Sequence, residues 1–212
     1  MYKTKGFILG ATLVLLVLTI GIPACYIGLE PTSLTESYVP FTYTDKSGVF
    51  SISFPAGWEA NRYERRSFSW GTYAKDGLNR LQAGLPVQSH YQIFEAYKRV
   101  QHNIVASVYI DVRAVFWPKP YTIDDEAETR KGTHPDFKEL SRTETTVDGR
   151  EATVWEWQGT FPQAEQAPSY YLEQYLATDK AVWIVKCSAD SDNITQWQNE
   201  FETIAGSLKI YY

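Results

Sequence analysis

Residues 140–159 read LSRTETTVDGREATVWEWQG, and their interpretation decides the fold. Leu140–Val147 and Arg150–Gly159 carry the β-branched and aromatic residues that suit a pleated, half-buried surface. They meet at Asp148-Gly149, among the strongest hairpin signals a sequence offers. The next segments repeat the arrangement: Tyr170–Ala177 and Ala181–Ala189 form a second hairpin across Thr178-Asp179-Lys180. After them Ile194, Trp197, Phe201, Ile204, Ala205 and Leu208 fall at helical spacing as one apolar stripe. Asn193 with Gln196 predicts a capping box, and Gly206 lies near the C-terminal end. The fold class is therefore α+β: an antiparallel sheet flanked by helices, with a long C-terminal helix packed on the sheet. No internal repeat is visible.

Upstream, Phe41–Thr44 and Val49–Phe54 flank Asp45-Lys46-Ser47-Gly48 as strands around a tight turn. In FSISF the apolar Phe50, Ile52 and Phe54 alternate with serines, which buries one face. Ser67–Trp70 reads as a further short strand, and residues 75–90 as a loop punctuated by Gly77, Gly84 and Pro86. Tyr91–Gln101 fits a helix or a strand. Val105–Trp117 is the clearest long strand, ended by Pro118 and Pro120. Ile123–Lys131 is a short helix with Thr122 as its N-cap and acids in its first turn, where the helix dipole favours them.

The N-terminus has a different character. Lys3 and Lys5 precede an uncharged apolar run from Phe7 to Ile22, which marks residues 1–24 as a signal peptide or membrane anchor. The run ends in Ile22-Pro23-Ala24-Cys25, which resembles a bacterial lipobox and makes Cys25 the lipidation candidate. An uncleaved single-span anchor and ordinary cleavage are the alternatives. All three place the remainder on the extracytoplasmic face of the cell membrane, as does the bias of lysines before the run. Residues 25–40, polar and bracketed by Pro31 and Pro40, read as a tether. Residues 41–212 are then a single α+β domain. Cys187, the other cysteine, reads as a small buried hydrophobe.

Composition agrees with an ordered domain: 44% hydrophobic and 21% charged residues exclude wholesale disorder and a fibrous repeat. The net charge of -5 argues against duplex nucleic acid, which needs clustered Lys and Arg. Removing Lys3 and Lys5 with the leader takes the 20 basic residues to 18 against 25 acids, so the mature chain carries -7. The aromatic content, with 7 Trp, 15 Tyr and 10 Phe, favours a strand-rich fold with a large core.

Several landmarks together resemble a known family. The strand Phe50-Ser-Ile-Ser-Phe closes in a Pro55-Ala-Gly-Trp58 turn. Val147-Asp-Gly-Arg-Glu-Ala152, a tyrosine-rich strand, AVWIVKCSA and a helix ending Gly206-Ser-Leu-Lys-Ile210 follow in order. This order resembles the PsbP-like superfamily, bacterial lipoproteins included, over residues 41–212. The resemblance implies an α/β/α sandwich and the work of an accessory protein, an extrinsic subunit or assembly factor of a membrane complex, without a shared catalytic centre. It carries over no binding residue.

The residues themselves offer little catalytic chemistry. No nucleophile elbow, phosphate-cradling loop or dinucleotide fingerprint occurs, so no catalytic or cofactor-binding residue is assigned and the chain is not expected to be an enzyme. His90, His102 and His134 lack zinc-ligand spacing and read as surface histidines, so no metal ligand is assigned either. Asp190, Asp192 and Asn193 lack the glycine and distal glutamate of a calcium loop. The acidic run Asp124–Glu128 reads as a solvated helix start. Trp155 and Trp157 share one strand face, so either both faces of that strand are covered or one shows tryptophan to solvent. In the second case Trp155 and Trp157 beside Glu156 would form a ligand or partner surface, suited to stacking on a sugar. An enzyme using paired carboxylates on glycan is a third reading. The leading expectation is a non-catalytic, membrane-tethered domain that binds a protein partner; the alternative is a glycan or small-ligand binding module using exposed tryptophans.

Overall fold

Asp148 and Gly149 take φ angles of 51° and 74°, and the strands they join pair outward from Val147↔Arg150. That hairpin is the edge of a larger sheet. The computed structural model describes residues 39–61, 68–115, 122–134, 136–160 and 168–212. In chain order the strands are β1 (Phe41–Thr44), β2 (Phe50–Phe54), β3 (Trp58–Asn61), β4 (His90–Val100), β5 (Asn103–Arg113), β6 (Lys138–Val147), β7 (Arg150–Gly159), β8 (Ser169–Ala177), β9 (Val182–Asp190) and β10 (Lys209–Ile210). The helices among the described residues are α1 (Phe68–Gln82), α2 (Ile123–Thr133) and α3 (Ile194–Gly206). Seven strands form an antiparallel sheet in the order β3-β4-β5-β9-β8-β7-β6, and β1-β2-β10 form a second sheet of three.

Side chains of the large sheet divide between two faces by the two-residue period of strands. On the first face Val108, Ile110, Leu172, Leu176, Trp183 and Val185 join Phe50, Ile52 and Phe54 of β2 and Trp197, Phe201 and Ile204 of α3 in one core. Lys98 fastens α3 there, its Nζ 2.7 Å from Glu200 and 5.5 Å over the Trp197 ring. On the second face Trp155, Trp157, Tyr171, Tyr175, Val182 and Ile184 pack with Ala127 of α2. Trp58, Trp155, Trp157 and Trp183 are all fully buried. Each withdraws about 200 Å² from water, worth about 5 kcal/mol before the entropy of ordering is deducted.

The start of the chain's long helical segment departs from expectation. Residues read as a short strand at Ser67–Trp70 and a loop from 75 to 90 are helical from Phe68 to Gln82. The reason is Gly77, which marks a close approach and not a turn. A Cβ built there would lie 2.9 Å from Cγ of Tyr91 on β4. Gly84, with φ of 67°, does end the helical segment as a turn glycine. Tyr91–Val100 resolves as strand with Gln101 in the turn after it, and β5 starts earlier, at Asn103, and ends earlier, at Arg113. The C-terminal capping box does not form: a 3₁₀ turn over Ser191–Asn193 runs into α3, and Asn193 makes no side-chain cap. Thr122 does cap α2, its Oγ1 accepting from the Asp125 N–H at 3.2 Å. Leu208 to Ile210, read as the end of the helix, instead leave it for β10, which pairs with β2.

Gly77→Ala is expected to destabilise the protein, because the methyl overpacks against Tyr91 by about 1–3 kcal/mol. That outweighs the gain in helix propensity of about 1 kcal/mol. Urea unfolding of the variant is the check, and a stabilised protein would show that Tyr91 yields freely.

Candidate functional site

Trp155, Trp157 and Glu156 are not brought to one surface. Trp155 and Trp157 are 0% and 1% exposed beneath α2, and the Trp157 ring stacks on Tyr171 at 3.9 Å. No ring face is left for a sugar, which removes the alternative of an exposed tryptophan pair and leaves the other reading of the pattern, a strand covered on both faces. The physical reason is that the sheet is covered on both faces where β7 runs. Glu156 points to the opposite face, also buried. Its carboxylate accepts from Tyr170 Oη at 2.6 Å, from Ser141 Oγ at 2.7 Å and from Gln198 Nε2 at 3.3 Å, tying β8, β6 and α3 together. Burial, and then this bond to Glu156, push the Tyr170 hydroxyl well above the usual tyrosine range.

His134 is likewise no surface residue. It is 1% exposed, its Nδ1 donates to the Thr160 carbonyl at 3.0 Å, and its ring meets Trp157 edge-on at 5.1 Å. The acidic run at the start of α2 is spent on pairing. Asp124 bonds Arg142 at 2.6 Å, Glu126 bonds Arg130 at 2.7 Å and Arg113 at 3.2 Å, and Glu128 bonds Lys131 at 2.7 Å. Cys187 is buried and free, and burial pushes its thiol up, as for an inert core cysteine. Among the described residues no group of three or more His, Cys, Asp or Glu side chains is arranged to hold a metal ion.

Sequence reasoning missed a line of charge across the second face. Glu173, buried on β8, accepts from Arg130 of α2 at 3.2 Å, from Trp157 Nε1 at 3.3 Å and from Tyr175 Oη. Two strands away Asp111 takes Lys186 at 2.8 Å and His90 at 2.9 Å. Burial alone would push the Asp111 carboxyl up, but the bond from His90 and the charge of Lys186 hold it below the usual carboxylate range. The strand-period pattern contained the signal, since Asp111, Glu173 and Lys186 interrupt otherwise apolar strands.

Among the described residues two exposed places stand out. One is the β4–β5 tip, where Gln101 and His102 take φ of 48° and 73° between Val100 and Ile104, exposed at 55% and 50%. Arg99 props the turn, its Nη1 donating to the His102 carbonyl at 3.2 Å. The other is β6, the last strand of the large sheet, exposed along most of its length.

No family model matches the chain, and no curated protein does. Solved structures do. The solution structure of cyanobacterial PsbP (CyanoP) from Synechocystis is similar over 82% of this chain and 94% of that chain, with 12% identity and a TM-score of 0.50. The Ran-binding protein Mog1p of Saccharomyces cerevisiae is similar over 82% and 96%, with 7% identity and a TM-score of 0.48. LpqN of Mycobacterium tuberculosis, involved in cell envelope biogenesis, is similar over 82% and 91%, with 8% identity and a TM-score of 0.47. The likeness to CyanoP is one of fold: the chain has a PsbP-like fold, mostly antiparallel sheet with a long C-terminal helix.

No helix among the described residues is long and apolar enough to cross a membrane. The apolar run from Phe7, Cys25 and the tether to residue 38 lie outside the described residues.

The Asp111 cluster has a defined pH signature. A folded-state pKa below the unfolded value adds stability above the unfolded carboxylate range, about 4, and loses it as pH falls through the folded value. Asp111→Asn is therefore expected to lower stability at pH 7 by about 3 kcal/mol, since Lys186 loses its acid. Urea titrations from pH 7 to pH 2 should show this gap closing at the acid end; a constant gap would contradict the assignment.

Proposed function

We propose that this chain is a non-catalytic, membrane-tethered domain on the extracytoplasmic face of the cell membrane, binding another protein as an accessory or assembly factor of an envelope complex. The observation that carries the reading is the β4–β5 tip. Two-residue hairpin turns with positive φ favour Asn-Gly or Asp-Gly, yet Gln101 and His102 stand here, at a cost of about 1–2 kcal/mol each. Strained turns of this kind collect at binding sites. Val100 and Ile104 flank the turn and add apolar surface that the fold leaves in water. Eleven-residue strands on both sides hold the tip out rigidly. The PsbP-like fold supports the reading, because the resemblance implies extrinsic subunits and assembly factors. The tether rests on the sequence of residues 1–40, with Cys25 as the lipidated residue.

A photo-crosslinking residue at Ile104 of the full-length protein in its own membrane is expected to give one discrete protein adduct. The adduct should disappear when Val100→Ser is added and be absent when the probe stands at Gln82. Equal labelling from both positions, or adducts with lipid alone, would sink the proposal. Intact-mass analysis of the membrane-extracted protein is expected to find a chain that starts at a lipidated Cys25. Retention of residues 1–24 with an unmodified Cys25 would replace the lipid by a single-span anchor.

A further inference from the structure

The free edge of β6 is complementary to itself. Its hairpin with β7 closes at Val147↔Arg150 around a two-residue turn, and the closing pair of such a hairpin exchanges backbone hydrogen bonds. Alternation then aims the N–H and C=O groups of Ser141, Thr143, Thr145 and Val147 at β7. Those of Arg142, Glu144 and Thr146 point outward. Edges of this length are usually blunted by proline, lysine clusters, bulges or brevity, because they template further pairing. β6 is ten residues long and has no proline. Its one register shift, between Glu139 and Ser141, lies toward its outer end and leaves Ser141–Val147 regular.

The charges choose the occupant. Place a second β6 antiparallel to the first, with the two-fold axis through Thr143. Arg142 then stands directly opposite Glu144 of the other copy, and Glu144 opposite its Arg142. Both residues are outward-pointing, so these are the pairs that exchange backbone bonds. Ser141 meets Thr145 and Thr143 meets Thr143, hydroxyl pairs that stabilise antiparallel strands. Axes through Arg142 or Glu144 would instead set like charges against each other. Bonds within the chain already lay both side chains along the sheet face: Arg142 to Asp124 and Glu139, and Glu144 to Thr153 Oγ1 at 3.0 Å. Among the described residues nothing pairs with the backbone of this edge. We propose that two copies of this chain associate through β6 in this register, joining their large sheets across a two-fold axis. The surface is separate from the β4–β5 tip, so each can fail without the other.

The test uses the full-length protein in detergent micelles. Sedimentation should show a concentration-dependent dimer. Arg142→Glu and Glu144→Arg should each weaken it at least tenfold, and the double charge swap should restore it. At the axis, Thr143→Cys lies in a non-hydrogen-bonded pair with side chains close enough to bridge, so mild oxidation should give a covalent dimer that Lys138→Cys does not. Circular dichroism confirms that each variant is folded. A monomer at all concentrations, single reversals without effect, or equal crosslinking from both cysteines would each overturn the proposal.

Discussion

Arg130 holds the second face of the sheet closed. Its guanidinium lies 5.2 Å from the Trp157 ring and bonds Glu126 at 2.7 Å and Glu173 at 3.2 Å. Glu173 is almost fully buried, and a carboxylate there is tolerable only with compensating donors. Arg130, Trp157 and Tyr175 supply them. Buried ion pairs of this kind add little net stability, because desolvation cancels most of the attraction, but losing one partner is costly. Their effect is to fix position. α2 cannot slide along the sheet without stripping Glu173, and the aromatic packing of Trp155, Trp157 and Tyr171 depends on α2 staying where it is.

That arrangement explains which parts of the fold were legible in the sequence. Asp148-Gly149 announces a hairpin because the backbone geometry it supplies is local and few other dipeptides supply it. The stripe on α3 is legible because one face is wet and one dry. α1 was not, since Gly77 serves a long-range contact with Tyr91 and local reasoning reads glycine as a breaker. The capping box at Asn193 failed for a related reason: a 3₁₀ turn precedes the helix, so the chain is already turning where a cap would act.

The candidate site was less legible. Trp155 and Trp157 posed a true ambiguity, because two apolar faces on one strand fit both an exposed pair and a sheet covered on both sides. Only the cover decides, and α2 is nearly devoid of apolar residues, with Ala127 and Ile123 as its contribution to that cluster. Charge does much of the covering instead, through Glu126 and Arg130. His134 escaped for the same cause: its burial comes from Trp157 and Thr160, which lie more than twenty positions away.

Where the large aromatics and the buried charges are consumed by the interior, the exposed features that stand out among the described residues are the margins of the sheet. The β4–β5 tip ends two strands whose middles are locked, and β6 is a lateral edge whose inner side is locked to β7. A short or poorly anchored edge would fray, and frayed backbone groups are satisfied by water and bind nothing in register. β6 is anchored through Ser141 to Glu156 on the first face and through Arg142 to Asp124 on the second. The rigid core thus keeps an open edge straight, and a straight edge with alternating opposite charges is a surface that selects its own register.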